Sequence, residues 1–387
     1  MDGKEKLQKA FDSGTAAGKL VTLREEQATE FITYIKDESA VLKAARVETM
    51  TGPNKTIAKL FIDNDFLYPG DHGAVDTSKD AQGRGDTVEL KSELLRGNIK
   101  ITDQEMQDNI EGGKIGDKFM RLLTAKIGNE LEKISIYSRK RENPLKAGHL
   151  FNGFKYRGLL GAHQVDASLS PFSDRYVEKK KFIQALKSLP TIFRTSARWF
   201  ISSGTYLDYS DIYDTIPDSS VRNELRSLIW GKPFTQGNLI SESEPVLVSG
   251  GASTTTSGSA AAAQKVIPVT SATGVTAGKV FATNYGTEKE QIHTVASVSE
   301  TNITMVDNLL YVVDAASTFK EVTLDGTDAL LTDPRNLIYG IQTGGEGIQF
   351  EIERIYGVGW RYHFKIRVDF QVENTDALVL LKNYKIR

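Results

Sequence analysis

The chain is 387 residues long, enough for two or three domains at about 150 residues each and for a sizeable buried core. Forty-eight Lys and Arg against 50 Asp and Glu leave a formal charge of −2, which argues against a protein dedicated to coating nucleic acid, since that role calls for a strongly basic surface. Hydrophobic residues at 40% and charged residues at 25% describe an ordinary globular chain, and zero Cys excludes disulfides, thiolate chemistry and Cys-ligated metals. No apolar run nears the roughly 18 residues of a membrane span, and the opening Met1-Asp2-Gly3-Lys4-Glu5-Lys6 lacks the layout of a signal peptide.

Residues 1–22 are polar and contain glycine. From Leu23 to Ser39, Ala28, Phe31, Ile32 and Ile35 recur at three and four residues, the spacing of an amphipathic helix. Val41, Leu42, Ala44, Ala45 and Val47 follow, and Thr51-Gly52-Pro53-Asn54 closes the segment as a turn. Thr56 to Ile62 reads as a strand. Residues 63–86 then carry Asp63, Asp65, Asp71, Asp76, Asp80 and Asp86 among four glycines, against only Lys79 and Arg84. Flanked by Phe61-Ile62 and Val88-Glu89-Leu90, this stretch reads as a protruding hairpin reaching about 40 Å from its base. Ile99 and Ile101 mark a short strand, Thr102 and Glu105 a capping box, and Gly112-Gly113 an interruption. A helix of about 36 Å then spans roughly Lys114 to Tyr137, with Ile115, Phe119, Leu122, Leu123, Ile127, Leu131 and Ile134 as its core stripe.

Residues 139–170 read as irregular, punctuated by Gly148, Gly153, Gly158 and Gly161. Asp174 is the expected N-cap of a helix carrying Phe182, Ala185, Leu186 and Leu189 and stopped by Pro190. Trp199-Phe200-Ile201 reads as a buried strand entering a Ser202-Ser203-Gly204 turn, and Val221 to Trp230 as a helix ended by Gly231. Ser249 to Gln264 holds only Ser, Gly, Ala, Thr and one Gln, the composition of a flexible linker. Beyond it, Val266-Ile267, Val280-Phe281, Ile292 to Val298 and Ile303 to Met305 are the short runs of a small all-β insertion. Trp360, Tyr362, Phe364, Ile366, Val368, Phe370 and Val372 alternate with Arg361, His363, Lys365, Arg367, Asp369 and Gln371, a long strand with one dry and one wet face. Ala377 to Leu381 is a second, fully buried strand. The whole describes a mixed α+β chain.

Chemical motifs are scarce. Gly14 to Leu20 and Gly274 to Val280 both miss the spacing and the hydroxyl residue of a phosphate-binding loop. His72, His149, His163, His293 and His363 never fall at i, i+4, and no Gly-x-Ser-x-Gly elbow occurs. Asn54-Lys55-Thr56 and Asn302-Ile303-Thr304 match the glycosylation sequon, which has no use without export. A carboxylate pair for hydrolysis carries no sequence signature and stays open as a remote reading. Arg139-Lys140-Arg141 reads first as a solvated helix end. No catalytic, cofactor-binding or metal residue is assigned, and no cofactor is expected.

The order of elements resembles the major capsid protein family of tailed bacteriophages, a fold shared with encapsulins. Asp37-Glu38-Ser39 with Leu42-Lys43 is similar to that family's N-terminal arm, and Asp108-Asn109-Ile110-Glu111-Gly112-Gly113 to the lead-in of its spine helix. Trp199 to Tyr206 resembles the strand and turn of its axial domain, and Asp333-Pro334-Arg335-Asn336-Leu337, Arg367-Val368-Asp369-Phe370 and Asp376-Ala377-Leu378-Val379 its closing region. The resemblance implies an N-terminal arm over 1–50 and an extended loop with flanking strands over 51–103. It implies a spine helix and peripheral domain over 104–170, and an axial domain over 171–248 and 321–345. The linker and insertion fall at 249–320, and closing strands of the peripheral domain at 346–387. The implied function is a non-enzymatic capsid protein assembling as hexamers and pentamers into an icosahedral shell around a double-stranded DNA genome. An encapsulin-type shell is the alternative.

Implied partners are other copies of the chain, portal and scaffolding proteins, decoration proteins on the insertion, and DNA held non-specifically. No membrane is involved; the location is the virion, after assembly in the host cytoplasm. No scaffolding segment of about a hundred residues precedes the arm, so a separate scaffolding protein is expected. The charge pattern adds its own expectation: the acidic hairpin docks on a basic surface of a neighbouring copy. The interface candidates are Asp71, Asp76, Lys79, Asp80 and Arg84 on the hairpin, with Arg139, Lys140 and Arg141 or Arg361, Lys365 and Arg367 opposite.

Overall fold

A computed structural model describes residues 20–22, 25–62, 83–102, 115–141, 144, 146–169, 171–172, 175–214, 228–237, 240–287, 289–344, 347–355 and 358–387. From the N-terminus the elements are β1 (Leu20–Thr22), α1 (Glu25–Glu38), α2 (Ala40–Ala44), β2 (Arg46–Met50), β3 (Asn54–Ile62), β4 (Gly83–Lys91), β5 (Glu93–Thr102) and α3 (Ile115–Tyr137). Next come α4 (Phe154–Leu160), β6 (Gln164–Asp166), α5 (Lys179–Ser188), α6 (Thr191–Arg194), β7 (Arg198–Ile201), α7 (Ser203–Asp214), β8 (Leu228–Ile229), β9 (Lys232–Gln236) and β10 (Glu244–Leu247). The rest is mostly strand: β11 (Ser253–Thr255), β12 (Val266–Pro268), β13 (Val280–Thr283), β14 (Gln291–Ser299), β15 (Asn302–Met305), β16 (Thr318–Thr332), β17 (Leu337–Gln342), β18 (Ile348–Ile355), β19 (Gly359–Val372) and β20 (Leu378–Lys385). The chain divides into two compact units.

The first unit comprises Met1–Glu30, Val47–Ile115 and Tyr339–Glu373. Its sheet runs β1-β18-β19-β17-β2, with β5 also paired to β19. The period-two pattern of β19 explains why that strand is central: Phe364, Ile366, Val368, Phe370 and Val372 are all buried, and Phe370 stacks on Tyr339 with centroids 5.3 Å apart. Asp369 departs from the expected wet face. It is buried, and its carboxylate accepts from the backbone N–H of Lys91 and of Phe370, each at 2.8 Å. β5 is longer than the Ile99–Ile101 alternation suggests, because it pairs with β19 from Glu93 to Thr102.

The hairpin expected around the acidic stretch has β3 and β4 as its arms, in register from Asn54↔Lys91 to Ile62↔Gly83. Gly83 to Asp86 belong to the ladder, so the connection is 63–82 and not 63–86. That connection, and the capping box expected at Thr102 to Glu105 beyond its first residue, lie outside the described residues.

The second unit comprises Phe31–Arg46, Gly116–Ile338 and Asn374–Arg387. Phe31, Ile32 and Ile35 of α1 are buried as their spacing requires, and Ser39 caps α2 by accepting from the Leu42 N–H at 3.1 Å. On α3, Leu123, Ile127 and Leu131 are buried, but Leu122 is 71% exposed and Ile136 fills the stripe further along. Several expectations are corrected here. The irregular stretch 139–170 contains α4, whose Gly158 faces Leu380; a Cβ there would meet the Leu380 Cβ at 3.2 Å. Gly153 and Gly158 allow close backbone approach, whereas Gly161 ends α4 and a Cβ at Gly148 would meet nothing within 4 Å. The helix expected from Asp174 starts at Lys179 after Glu178, and Asp174 lies outside the described residues. Ser202 is not part of a free turn but opens α7, its hydroxyl accepting from the Thr205 N–H at 3.2 Å. At 228–231 a strand and a turn replace the expected helix end: β8 pairs with β9, and Trp230 and Gly231 take φ of 45° and 80°. Residues 221–227 lie outside the described residues.

The 12-stranded sheet of this unit is organised by β16, a strand of 15 residues. Its second half pairs with β20 and β7 over a core of Phe182, Trp199, Leu331, Val379, Leu381 and Tyr384. Its first half pairs with β10, β11 and β13. The four runs read as an all-β insertion are β12 to β15, packed around Ile267, Val295, Ile303 and the stacked Phe281–Phe319 pair at 4.6 Å. The insertion therefore shares a sheet with the body. The Ser/Thr/Ala segment is likewise no free linker: β11 lies within it, Thr256 and Ala260 are buried, and bridges join Thr256 to Val269 and Ala260 to Val313. Small side chains suit it to lie flat on a sheet edge.

Gly153 generates a test of the close-approach reading. Its N–H donates to Ser138 O at 2.8 Å, and a Cβ would stand 2.6 Å from Ile136 O. Gly153→Ala is expected to lower stability by about 1–3 kcal/mol, the usual cost of overpacking, measured by urea unfolding; an unchanged midpoint would refute the close-approach reading.

Candidate assembly surfaces

The polar face of β19 in the first unit is a charged surface. Directly opposite residues form rows across three strands: Lys100–Arg361–Glu353, Asn98–His363–Glu351 and Arg96–Lys365–Gln349, with Leu94 beside Arg367. Arg361 lies 3.7 Å from Glu353 and Lys365 3.8 Å from Glu351, both half-exposed contacts worth little individually. His363 Nδ1 lies 2.7 Å from Asn98 Oδ1. Among the described residues of these rows, five cations face two carboxylates. The sequence reading found Arg361, Lys365 and Arg367; it missed Arg96 and Lys100, which become visible only when the β5–β19 register is known.

In the second unit, the basic cluster after α3 turns toward the insertion. Arg139 pairs with Glu290 at 2.9 Å and donates to Thr287 O at 3.0 Å. Arg141 donates to Glu290 O and lies 4.3 Å over the Tyr311 ring. Tyr311 in turn meets His149 Nδ1 at 2.5 Å, and burial, with Arg141 and Lys146 nearby, lowers the His149 pKa. Lys140 is exposed. Asp71, Asp76, Lys79 and Asp80 lie outside the described residues, and Arg84 sits on β4 opposite Phe61.

A buried ion cluster lies beside Arg139. Lys155 is on the first turn of α4, Glu244 begins β10, and Asp328 is on β16, where Glu244 pairs opposite Gly326. Lys155 Nζ lies 2.5 Å from Asp328 Oδ2 and hydrogen-bonds Glu244 Oε2. Asp328 Oδ1 accepts from the Asn383 N–H at 2.9 Å, whereas buried Oδ2 accepts no well-angled hydrogen bond. Burial pulls the Lys155 pKa down and the two carboxylates push it up further, for a net rise. Tyr137 covers the ammonium, its ring centroid 5.4 Å away, and burial raises the pKa of its hydroxyl. The cluster borders a cavity of about 540 Å³ lined by Lys133, Tyr156, Ile240 and Ile292 among others. None of these three ionic residues stands out in the sequence, since nothing local relates 155, 244 and 328. Among the described residues no group of His, Asp and Glu is arranged to hold a metal ion, and no helix is long and apolar enough to cross a membrane.

The insertion holds a second buried ionisable group. His293 on β14 is 7% exposed, its Nε2 has no hydrogen-bond partner among the described residues, and burial lowers its pKa to about 4, with Asp307 opposing weakly. Below about pH 6.5 the unfolded chain takes a proton that the folded insertion refuses. Stability is therefore complete above that pH and falls progressively toward pH 4, by up to about 3 kcal/mol. Unfolding midpoints at pH 7 and pH 5 should differ less for His293→Gln than for the parent; equal differences would refute the assignment.

No family model and no curated protein matches the chain. Solved structures do. A chain of the satellite phage P4 procapsid that includes the size determination (Sid) protein superposes with a TM-score of 0.52 at 8% identity, over 92% of this chain and 99% of that one. The capsid of a native GTA particle gives 0.46 at 12% identity, covering 89% and 90%. The SrpI encapsulin of Synechococcus elongatus PCC 7942 gives 0.40 at 9% identity, covering 89% and 87%. The likeness to the procapsid chain is one of fold, and it extends over nearly the whole of both chains: this is the capsid-shell fold.

Proposed function

We propose that this chain is the major capsid protein of a tailed double-stranded DNA bacteriophage, assembling as hexamers and pentamers into an icosahedral shell around the genome. The single observation that carries the reading is the fold shared with the P4 procapsid chain over 92% of the sequence. Its partners in this reading are its own copies, a portal, a scaffolding protein and packaged DNA, with the virion as its location and no catalytic role. Near-neutral net charge suits a container whose DNA keeps most of its own counterions. Negative-stain electron microscopy and sedimentation of the purified protein test the reading. Hollow uniform particles or capsomer-sized rings are expected, and a solitary monomer at all concentrations would overturn it. Particles loaded with an enzyme and free of nucleic acid, when isolated from the native source, would favour the encapsulin-type alternative.

In this reading the acidic connection at 63–82 docks on the cationic face formed by Arg96, Lys100, Arg361, Lys365 and Arg367 of a neighbouring copy. Individual exposed pairs contribute about 0–1 kcal/mol, but repetition around a closed shell multiplies them. Asp76→Lys together with Asp80→Lys is expected to cut particle yield severely while leaving the circular dichroism of the subunit unchanged. Normal yield from the double variant would dispose of the docking.

A further inference from the structure

We propose that Lys155 and Asp328 are joined by an intramolecular isopeptide bond, with Glu244 carrying the proton during its formation. The inference rests on the buried cluster alone and stands whether or not the chain builds a shell. Three features of the geometry point to it.

The first is proximity. Lys155 Nζ lies 2.5 Å from Asp328 Oδ2, and the Asp328 carboxylate is pinned through Oδ1 to the Asn383 N–H. Reacting groups held at contact distance in a fixed orientation gain most of what an intermolecular condensation lacks. The second is the unsatisfied oxygen. Oδ2 is buried and accepts no well-angled hydrogen bond, so the short contact is not a settled salt bridge of good geometry. The third is charge. One ammonium faces two carboxylates in a site whose side chains are 6–16% exposed. Burial of three charges at net −1 is costly, and the form that reacts carries one additional proton. With that proton on Asp328, Glu244 takes another from Nζ through their hydrogen bond, and a free amine then faces a neutral carboxylic acid.

The step balances without oxidant or cofactor. The Nζ lone pair attacks Asp328 Cγ, a C–N bond forms, and the C–OH bond breaks. The hydroxyl leaves with a proton delivered by Glu244, as one water, and the Glu244 carboxylate then takes the surplus proton from the nitrogen. The adjoining cavity, which Lys155 and Glu244 both line, gives that water somewhere to go. The product replaces a buried ammonium and a carboxylate by a neutral amide and ties α4 to the central strand β16. Residues 155 and 328 are far apart in sequence, so the link closes a long loop in the unfolded chain as well.

Intact-mass spectrometry of the denatured full-length protein tests this directly. The expected mass is that of the sequence less one water, and proteolytic fragments carrying Lys155 and Asp328 should remain joined. Lys155→Met and Asp328→Ala are expected to restore the full mass, and Glu244→Gln to leave most molecules unlinked. Asp325-Gly326 is able to lose water as a cyclic imide, and joined fragments distinguish the two. The full sequence mass in the parent protein, or a water loss without joined fragments, as at Asp2-Gly3 or Asp325-Gly326, would overturn the proposal. Because the decisive reading is made on the parent chain, it holds even where a variant fails to fold.

Discussion

The second unit depends on the continuity of one hydrogen-bonded strand. β16 spends its first residues against β10, β11 and β13 and its last against β20 and β7. A strand has two edges, and each must be paired or covered if its backbone polar groups are buried. β16 satisfies that requirement by changing neighbours along its length, with an irregularity in the β20 register at Thr327–Ala329. The aromatic core around Trp199 and the separate core around Phe281 are consequently built on the two halves of one strand. Neither is free to shift register without moving the other, because a slip by one residue would exchange buried and exposed sides throughout.

Charge is used in two different ways. On the polar face of β19 the ion pairs are long and half-exposed, so they barely stabilise the subunit, and Arg96, Lys100 and Arg367 share that face. Around Lys155 the charges are withdrawn from water, and the same Coulomb attraction acts with little screening. Arg139 and Arg141 belong to an intermediate case: their guanidinium groups are engaged by Glu290 and Tyr311 within the unit. The surface of one unit and the interior of the other thus draw on one interaction in two dielectric settings.

How much of this was legible beforehand follows from the range of each interaction. Strict alternation made β19 readable to within a residue of its start, and apolar runs bounded by turns made β12 to β15 readable, because period two reports burial locally. α3 was readable from its stripe, although Leu122 turned out to face solvent. Composition misled where the same residues serve two purposes. Gly153 and Gly158 look like loop punctuation but allow a helix to approach its neighbours, and Ser249 to Gln264 looks like a linker but contains β11. At Trp230 the helical pattern gave way to a turn that tertiary pairing with β9 imposed. The Lys155 cluster was illegible for a simpler reason, since α4, β10 and β16 meet only after folding. The resemblance to a capsid family anticipated the shell fold, and the procapsid likeness supports it at the level of fold.

The path of β16 also has a kinetic side. β13, β14 and β15 are joined by short connections and zip together as a meander from nearby sequence. Facing β13, the first half of β16 has a ready template, whereas its second half must find β7 more than a hundred residues earlier and β20 near the end of the chain. What looks in the finished molecule like an ornament on the body is thus also the template nearest in sequence for the body's central strand.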